Sequence, residues 1–264
     1  MNLILTSYMD LYEKNEEGER IAQPFSNANQ ILDMIKKLTP KQENFLLIAS
    51  DPADYELTEM YAKPTFESFD KTFPFKNYLI LDNRTKQNAE EMLKNADLIY
   101  LAGGHVPTQN AFFKEINLKE LIKDTTALII GSSAGSVNAA TIVYAQPELE
   151  GETLDPNYKT YIDGLGLTDV SIIPHFDERF DWMLDEKNIL CEISLPDSKV
   201  RPFIAYSDGA YIYDNGKEQF MCGKGYLFEN GTFRKISDDE VITDITELVK
   251  EKFDNEKYKN LIVE

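Results

Sequence analysis

The segment Gly131-Ser132-Ser133-Ala134-Gly135 sets a hydroxyl between two glycines where an apolar run, Ala127-Leu-Ile-Ile130, gives way to a small-residue stretch suited to a helix. A serine on such a tight strand-to-helix turn sits in strained backbone geometry. Its neighbours two residues to either side must be small so that strand and helix can approach. The turn lifts the hydroxyl above the sheet edge. The N–H of the following residue, Ala134, points at the same spot and can stabilise an oxyanion. Ser133 is therefore the candidate nucleophile.

A serine hydroxyl needs a base to take its proton, and the chain holds only two histidines, His105 and His175. His175 follows Val170-Ser-Ile-Ile-Pro174, at the C-terminal end of an apolar strand, as Ser133 does. In an open parallel sheet that edge is where ligands bind, so His175 is the candidate base. Asp208 follows Pro202-Phe-Ile-Ala-Tyr-Ser207 and precedes Gly209. It is a carboxylate at another strand end and the first choice to orient the imidazole. An ordinary Asp-Gly turn would read the same way. Glu148, Asp163, Asp177 and Glu178 remain rival acids, the last two close in sequence to His175.

A further strand, Asp97-Leu-Ile-Tyr-Leu-Ala102, runs into Gly103-Gly104-His105. Paired glycines let backbone N–H groups come close to a ligand. The Gly104 N–H is the natural partner of Ala134 in an oxyanion hole, and Gly103 and His105 are candidates to contact substrate. No metal or organic cofactor is required by this chemistry.

The elements that must position these groups follow from hydrophobic pattern. Apolar runs at 2–7, 44–49, 77–82, 97–102 and 126–131 alternate with helical periodicity, as in Ile31, Met34, Ile35 and Leu38. Continuous apolar strands alternating with helices predict an α/β three-layer sandwich with a mostly parallel sheet covered on both faces. Helices are expected from about 107 to 123, from Ala134 to Val143, and over 178–190. Residues 145–168 show no period and read as an excursion from the sheet. Further strands are expected at 169–174 and 202–207. Beyond about 213, Asn215-Gly216 and Asn230-Gly231 flank short β segments, the hairpin signals of an antiparallel C-terminal extension. Ser237-Asp-Asp-Glu240 matches a capping box that opens a last helix to about Phe253. With no repeat and no linker, residues 1–264 read as one domain, with a core to about 213 and an extension over 214–264.

Of 264 residues, 42% are hydrophobic and 28% charged, a globular composition. Lysine and arginine number 27 against 46 aspartates and glutamates, a formal charge of −19. No basic stripe is available for nucleic acid, and no apolar stretch is long enough for a membrane helix. Cys191 and Cys222 form no metal-spaced or disulfide pattern, which suits a reducing cytoplasm. Nothing in the pattern chooses between a monomer and a homodimer.

Four motifs together, ADLIYLAGG (96–104), IIGSSAGS (129–136), IIPHFD (172–177) and AYSDGAYIY (205–213), resemble the dipeptidase E and cyanophycinase group of serine peptidases. The resemblance spans most of residues 1–215. It implies a fold similar to class I glutamine amidotransferases, which is flavodoxin-like, with serine replacing cysteine at the elbow. It also implies hydrolysis of short peptides, with Ser133 as nucleophile, His175 as base, Asp208 at the acid position and Gly104 and Ala134 as oxyanion donors. The family loop usually reads Gly-Gly-Asn or Gly-Gly-Asp, whereas here it is Gly104-His105. Aspartyl specificity therefore does not carry over. No arginine is matched by motif to hold an acidic side chain; Arg179 and Arg201 are candidates that no motif anchors. An esterase or amidase would use the same machinery, and the altered loop motivates a non-catalytic binding protein as the rival.

Overall fold

The computed structural model describes residues 1–262. The five expected parallel strands form and lie side by side in the order Asn77–Leu81, Asn44–Ile48, Leu98–Leu101, Leu128–Ser132 and Asn2–Thr6. Side chains alternate across a strand, and here both faces are buried. Leu3 and Leu5 pack with Ile129, Leu101 and Phe112, whereas Ile4 packs with Ile130, Phe45 and Phe69. A strand buried on both faces must be apolar at every position, which is why these runs are continuous. Helices flank the sheet, making a mixed α/β fold with a large, mostly parallel central sheet.

The C-terminal hairpins form, but they are not an appendage. Tyr211–Asp214 pairs antiparallel with Asn2–Thr6, and Gln219–Cys222 and Ile242–Asp244 continue the central sheet to eight strands. The other C-terminal strands belong to a second sheet, Ile172–Ile173, Phe203–Tyr206, Gly225–Glu229 and Thr232–Ser237. At its Asn230-Gly231 turn both residues have positive φ, 55° and 79°, the geometry for which Asn-Gly is selected. This sheet has its own core, in which Phe203 lies between Tyr144 and Phe228 with ring centroids 4.8 and 5.1 Å away.

Several local expectations are corrected. The helix expected over 178–190 is a single turn, Phe176–Arg179, followed by a two-stranded hairpin, Met183–Leu184 and Lys187–Asn188, and a π-helical turn from Ile189. The helix after Ser133 stops at Asn138, and Ile142–Tyr144 pairs with Tyr161–Asp163, so the 145–168 excursion is closed by a β ladder. The helix at 107–123 is two helices, Val106–Glu115 and Leu118–Leu121, broken where Asn117 turns left-handed at φ 53°. The Ser237–Glu240 signal leads into the strand Ile242–Asp244, and the helix begins only at Thr246. The hairpin Tyr12–Lys14 with Arg20–Ala22 and the long helix Tyr55–Thr72 are among the elements the sequence pattern does not predict.

Arg201 lies at the joint between the second sheet and the C-terminal helices, fully buried. Its Nε donates to Ser171 Oγ at 3.0 Å, and Nη2 donates to Asp169 O at 3.0 Å and Asn255 Oδ1 at 2.8 Å. The guanidinium stands 4.7 Å from the Tyr258 ring. Burial pulls its pKa down to about 10, against the favourable fields of nearby tyrosines and aspartates. Truncation would orphan the acceptors and empty a large volume. Arg201→Ala is expected to cost about 3 kcal/mol, read as a lower urea midpoint; an unchanged midpoint would contradict this role.

Candidate active site

The parallel pairing of Asn2–Thr6 with Leu128–Ser132 sets Thr6 opposite Ser132. The next residues, Ser7 and Ser133, therefore leave the sheet edge side by side. Ser133 N–H donates to Thr6 O at 3.0 Å, and the Ser136 hydroxyl donates to the same carbonyl at 2.8 Å. Ser133 itself has φ 49° and ψ −114°, a conformation that side-chain-bearing residues rarely adopt and that such turns impose. The close approach behind it depends on Gly135. A Cβ there would lie 2.2 Å from Leu101 O.

His175 and Asp208 come from the second sheet. Ile172–Ile173 runs parallel to Phe203–Tyr206, with Ile173 opposite Ala205. His175 and Asp208 thus follow the C-terminal ends of two neighbouring strands. The expectation places His175 and Ser133 at the edge of one parallel sheet, whereas the strand before His175 lies in a different sheet from the one before Ser133. His175 takes a left-handed conformation, φ 56°, that turns its ring over Ser133. Asp208 sits where the chain passes from Phe203–Tyr206 to Tyr211–Asp214, and the Gly209 N–H donates to Tyr8 O at 3.1 Å, tying that turn to the first strand.

The three side chains meet. The Ser133 Oγ lies 2.9 Å from His175 Nε2, and His175 Nδ1 lies 2.8 Å from Asp208 Oδ1. With a carboxylate at Nδ1, that nitrogen carries the proton and Nε2 is left as acceptor for the serine hydroxyl. Burial pushes the Asp208 carboxyl up, but hydrogen bonding and charge from His175, the Ser7 hydroxyl and Arg179 outweigh it and hold Asp208 below its ordinary range. It therefore stays an anion at neutral pH.

The rival carboxylates are engaged elsewhere. Asp163 pairs with Lys119 at 2.9 Å, Asp177 with Lys224 at 3.3 Å, and Glu148 faces Arg179 at 3.8 Å. Glu178 lines a neighbouring cavity. His105 does not reach Ser133; its Nδ1 meets Thr108 Oγ1 and its Nε2 meets Glu152 Oε1, each at 2.8 Å. Gly103 packs against Ser133, where an added Cβ would stand 3.2 Å from the serine Cβ. Gly104 has φ 149°, and a Cβ there would lie 2.3 Å from Ser50 Oγ, so only glycine fits. Ala134 opens the helix after Ser133, where the first N–H groups have no intrahelical partner.

Sequence reasoning missed Ser7. It is fully buried. Its hydroxyl donates to Asp208 Oδ1, accepts from the His175 backbone N–H at 2.8 Å, and lies 3.2 Å from His175 Nδ1. The available signal was its place at the end of the first strand, which becomes informative only once that strand is paired with the one before Ser133.

Two cavities open on this group. One, of about 510 Å³, is lined by Gly104, His105, Glu148, His175, Arg179 and Trp182 among others. There Arg179 is buried and stacks over Trp182 at 4.3 Å. Burial pulls the pKa of Arg179 down and pushes that of Glu148 up. The second, of about 240 Å³, lies at Ser133 between Gly103 and a wall of tyrosines. No group of three or more His, Cys, Asp or Glu side chains placed to hold a metal occurs among the described residues.

A strained serine on a strand-to-helix turn, beside two cavities, stands at the edge of a mostly parallel sheet in a mixed α/β fold. The chain belongs to peptidase family S51, the serine peptidase family of dipeptidase E, whose model matches residues 21–218. A crystal structure of a candidate peptidase E from Listeria monocytogenes EGD-e is similar in fold, with a TM-score of 0.56 and 19% identity over 89% of this chain and 98% of that one. No curated protein matches the chain.

Proposed function

We propose that this chain is a serine peptidase of short peptides that works through a Ser133–His175–Asp208 relay and an acyl-enzyme. The observation that carries this reading is the unbroken line of contacts from Ser133 Oγ through both imidazole nitrogens to Asp208. The Ser133 hydroxyl attacks the scissile carbonyl while its proton passes to His175 Nε2. The Gly104 and Ala134 N–H groups stabilise the oxyanion of the tetrahedral intermediate. His175 then returns the proton to the leaving amine, and the C–N bond breaks. Water, deprotonated by the same nitrogen, hydrolyses the ester and frees Ser133. Asp208 holds the tautomer and stabilises the imidazolium. No helix among the described residues is long and apolar enough to cross a membrane, and both cysteines are free, which suits a cytoplasmic setting.

The test is a fluorophosphonate probe with the labelled residue mapped by mass spectrometry. Ser133 is expected to carry the label, and labelling should drop sharply in His175→Ala. A folded protein that neither labels nor hydrolyses any dipeptide would sink the reading in favour of a binding protein.

Ser7 acts here as a positioning residue. A hydrogen bond to a charged group contributes enough for removal to slow the reaction about ten- to a hundredfold. Ser7→Ala is expected to lower kcat by that factor with KM nearly unchanged, and Ser7→Thr to recover most of it. A Ser7→Ala enzyme with wild-type kcat would remove Ser7 from the relay.

A further inference from the structure

We infer that the residue beside the scissile bond is apolar or aromatic, seated in the tyrosine-walled slot at Ser133. This rests on the serine peptidase reading and names its substrate class. The slot is walled by Tyr8, Tyr12, Tyr61 and Tyr100, with Leu11 and Leu47 also lining it, and its volume of about 240 Å³ suits a leucyl or phenylalanyl side chain. Among the described residues no carboxylate, lysine or arginine lines it. Its one ionisable group besides the tyrosines is His175, whose ring is committed to Ser133 and Asp208.

One polar edge of the wall is turned to internal use. The Tyr8 hydroxyl donates to Tyr12 O at 2.9 Å, and the two rings meet edge to face at 5.6 Å. Burial pushes the phenols of Tyr8 and Tyr100 up, the latter to about 12, so both stay neutral. Arg20, from the hairpin after the first strand, stacks over Tyr61 at 4.1 Å and lies 5.3 Å from the Tyr12 ring. It lines a separate groove with Met60 and Lys63 and not the slot. It ties the hairpin to the helix Tyr55–Thr72, so that Tyr12 and Tyr61 stand as one wall.

Charge then decides between substrates. An acidic side chain in this slot would be desolvated with no cation to meet it, and a lysyl side chain would meet no anion. Aromatic faces stack on apolar and aromatic groups instead. The larger cavity holds an arginine but favours an acid little, because Arg179 faces Glu148 at 3.8 Å, with Glu178 and Asp181 also lining the cavity.

The test uses two dipeptide series, X-Ala and Ala-X, with X as Phe, Leu, Asp or Lys. In the series that fills the slot, Phe or Leu is expected to exceed Asp and Lys by roughly 100-fold in kcat/KM. Tyr61 is partly exposed, so Tyr61→Ala and Tyr61→Lys should fold. Tyr61→Ala should lower the Phe rate about tenfold, and Tyr61→Lys should narrow the gap between Phe and Asp. Fluorophosphonate labelling of Ser133 is read in parallel. Labelling with Asp or Lys preferred, or with an order of substrates untouched by both variants, overturns the slot assignment and leaves the peptidase standing. Loss of both labelling and hydrolysis overturns the two together.

Discussion

Ser133→Ala is expected to lower peptide hydrolysis by about four to six orders of magnitude while leaving the thermal midpoint within a few degrees of the parent. The substitution removes one oxygen. The groups proposed to bind and polarise substrate stay in place: the Gly104 loop against Ser50, the helix opened by Ala134, and the His175–Asp208 pair at 2.8 Å. What disappears is the hydroxyl 2.9 Å from Nε2 that the proposed mechanism uses to form a covalent bond with the carbonyl. Residual turnover would come from water activated by His175 and from oxyanion stabilisation, which in relays of this kind act weakly without the nucleophile. His175→Ala should cost nearly as much, and the double variant little more than either, because the two residues act as one unit. Kinetics on a dipeptide together with a melting curve decide the matter. A Ser133→Ala protein retaining a tenth of parental activity would mean another nucleophile does the work.

Gly135→Ala tests the frame instead of the chemistry. The ideal Cβ would stand 2.2 Å from Leu101 O and 2.7 Å from Leu101 C, so backbone, not a pliable side chain, is in the way. Leu101 belongs to the strand Leu98–Leu101, held between Asn44–Ile48 and Leu128–Ser132, and cannot retreat without disturbing two ladders. The helix Ala134–Asn138 must move away and carry Ser133 with it. Overpacking against rigid backbone costs about 3 kcal/mol, and for a chain of this size that is a fall of about 10 °C in the melting temperature. Activity should fall further than stability, since displacement of Oγ by about 1 Å is enough to lose a hundredfold. A melting point and activity close to the parent's would show that the elbow tolerates more separation than this packing allows.

Glu148 and Asp208 show how far a sequence carries such a site. Asp208 ends an apolar strand and is the first choice from sequence, but Glu148, in the aperiodic stretch 145–168, stays open as a rival because spacing along the chain does not show which carboxylate meets His175. Asp208 reaches Nδ1 because Phe203–Tyr206 pairs with Ile172–Ile173, while Glu148 is drawn to Arg179 across the larger cavity. The missing wall of the slot has a similar cause. The hairpin Tyr12–Lys14 with Arg20–Ala22 is too short and polar to show a period, and the helix Tyr55–Thr72 contains Pro64, a residue that argues against a helix interior. Each is held by tertiary contacts, including Lys71 Nζ donating to Ala22 O and the Ser68 hydroxyl donating to Gln23 O at 2.6 Å.

The sequence by itself determined the parallel strands and the turn that carries Ser133, because burial on both faces demands continuous apolar runs and a tight strand-to-helix turn demands glycines at set spacing. Both are constraints between near neighbours. Only the tertiary structure decided that Ser7 stands beside Ser133, that Asp208 and not Glu148 meets His175, and that four tyrosines close one side of the site. Those outcomes depend on which strands pair across separations such as the 168 residues between Ser7 and His175, and pairing at that range is settled by the packing of the whole sheet, not by the pattern of any one segment.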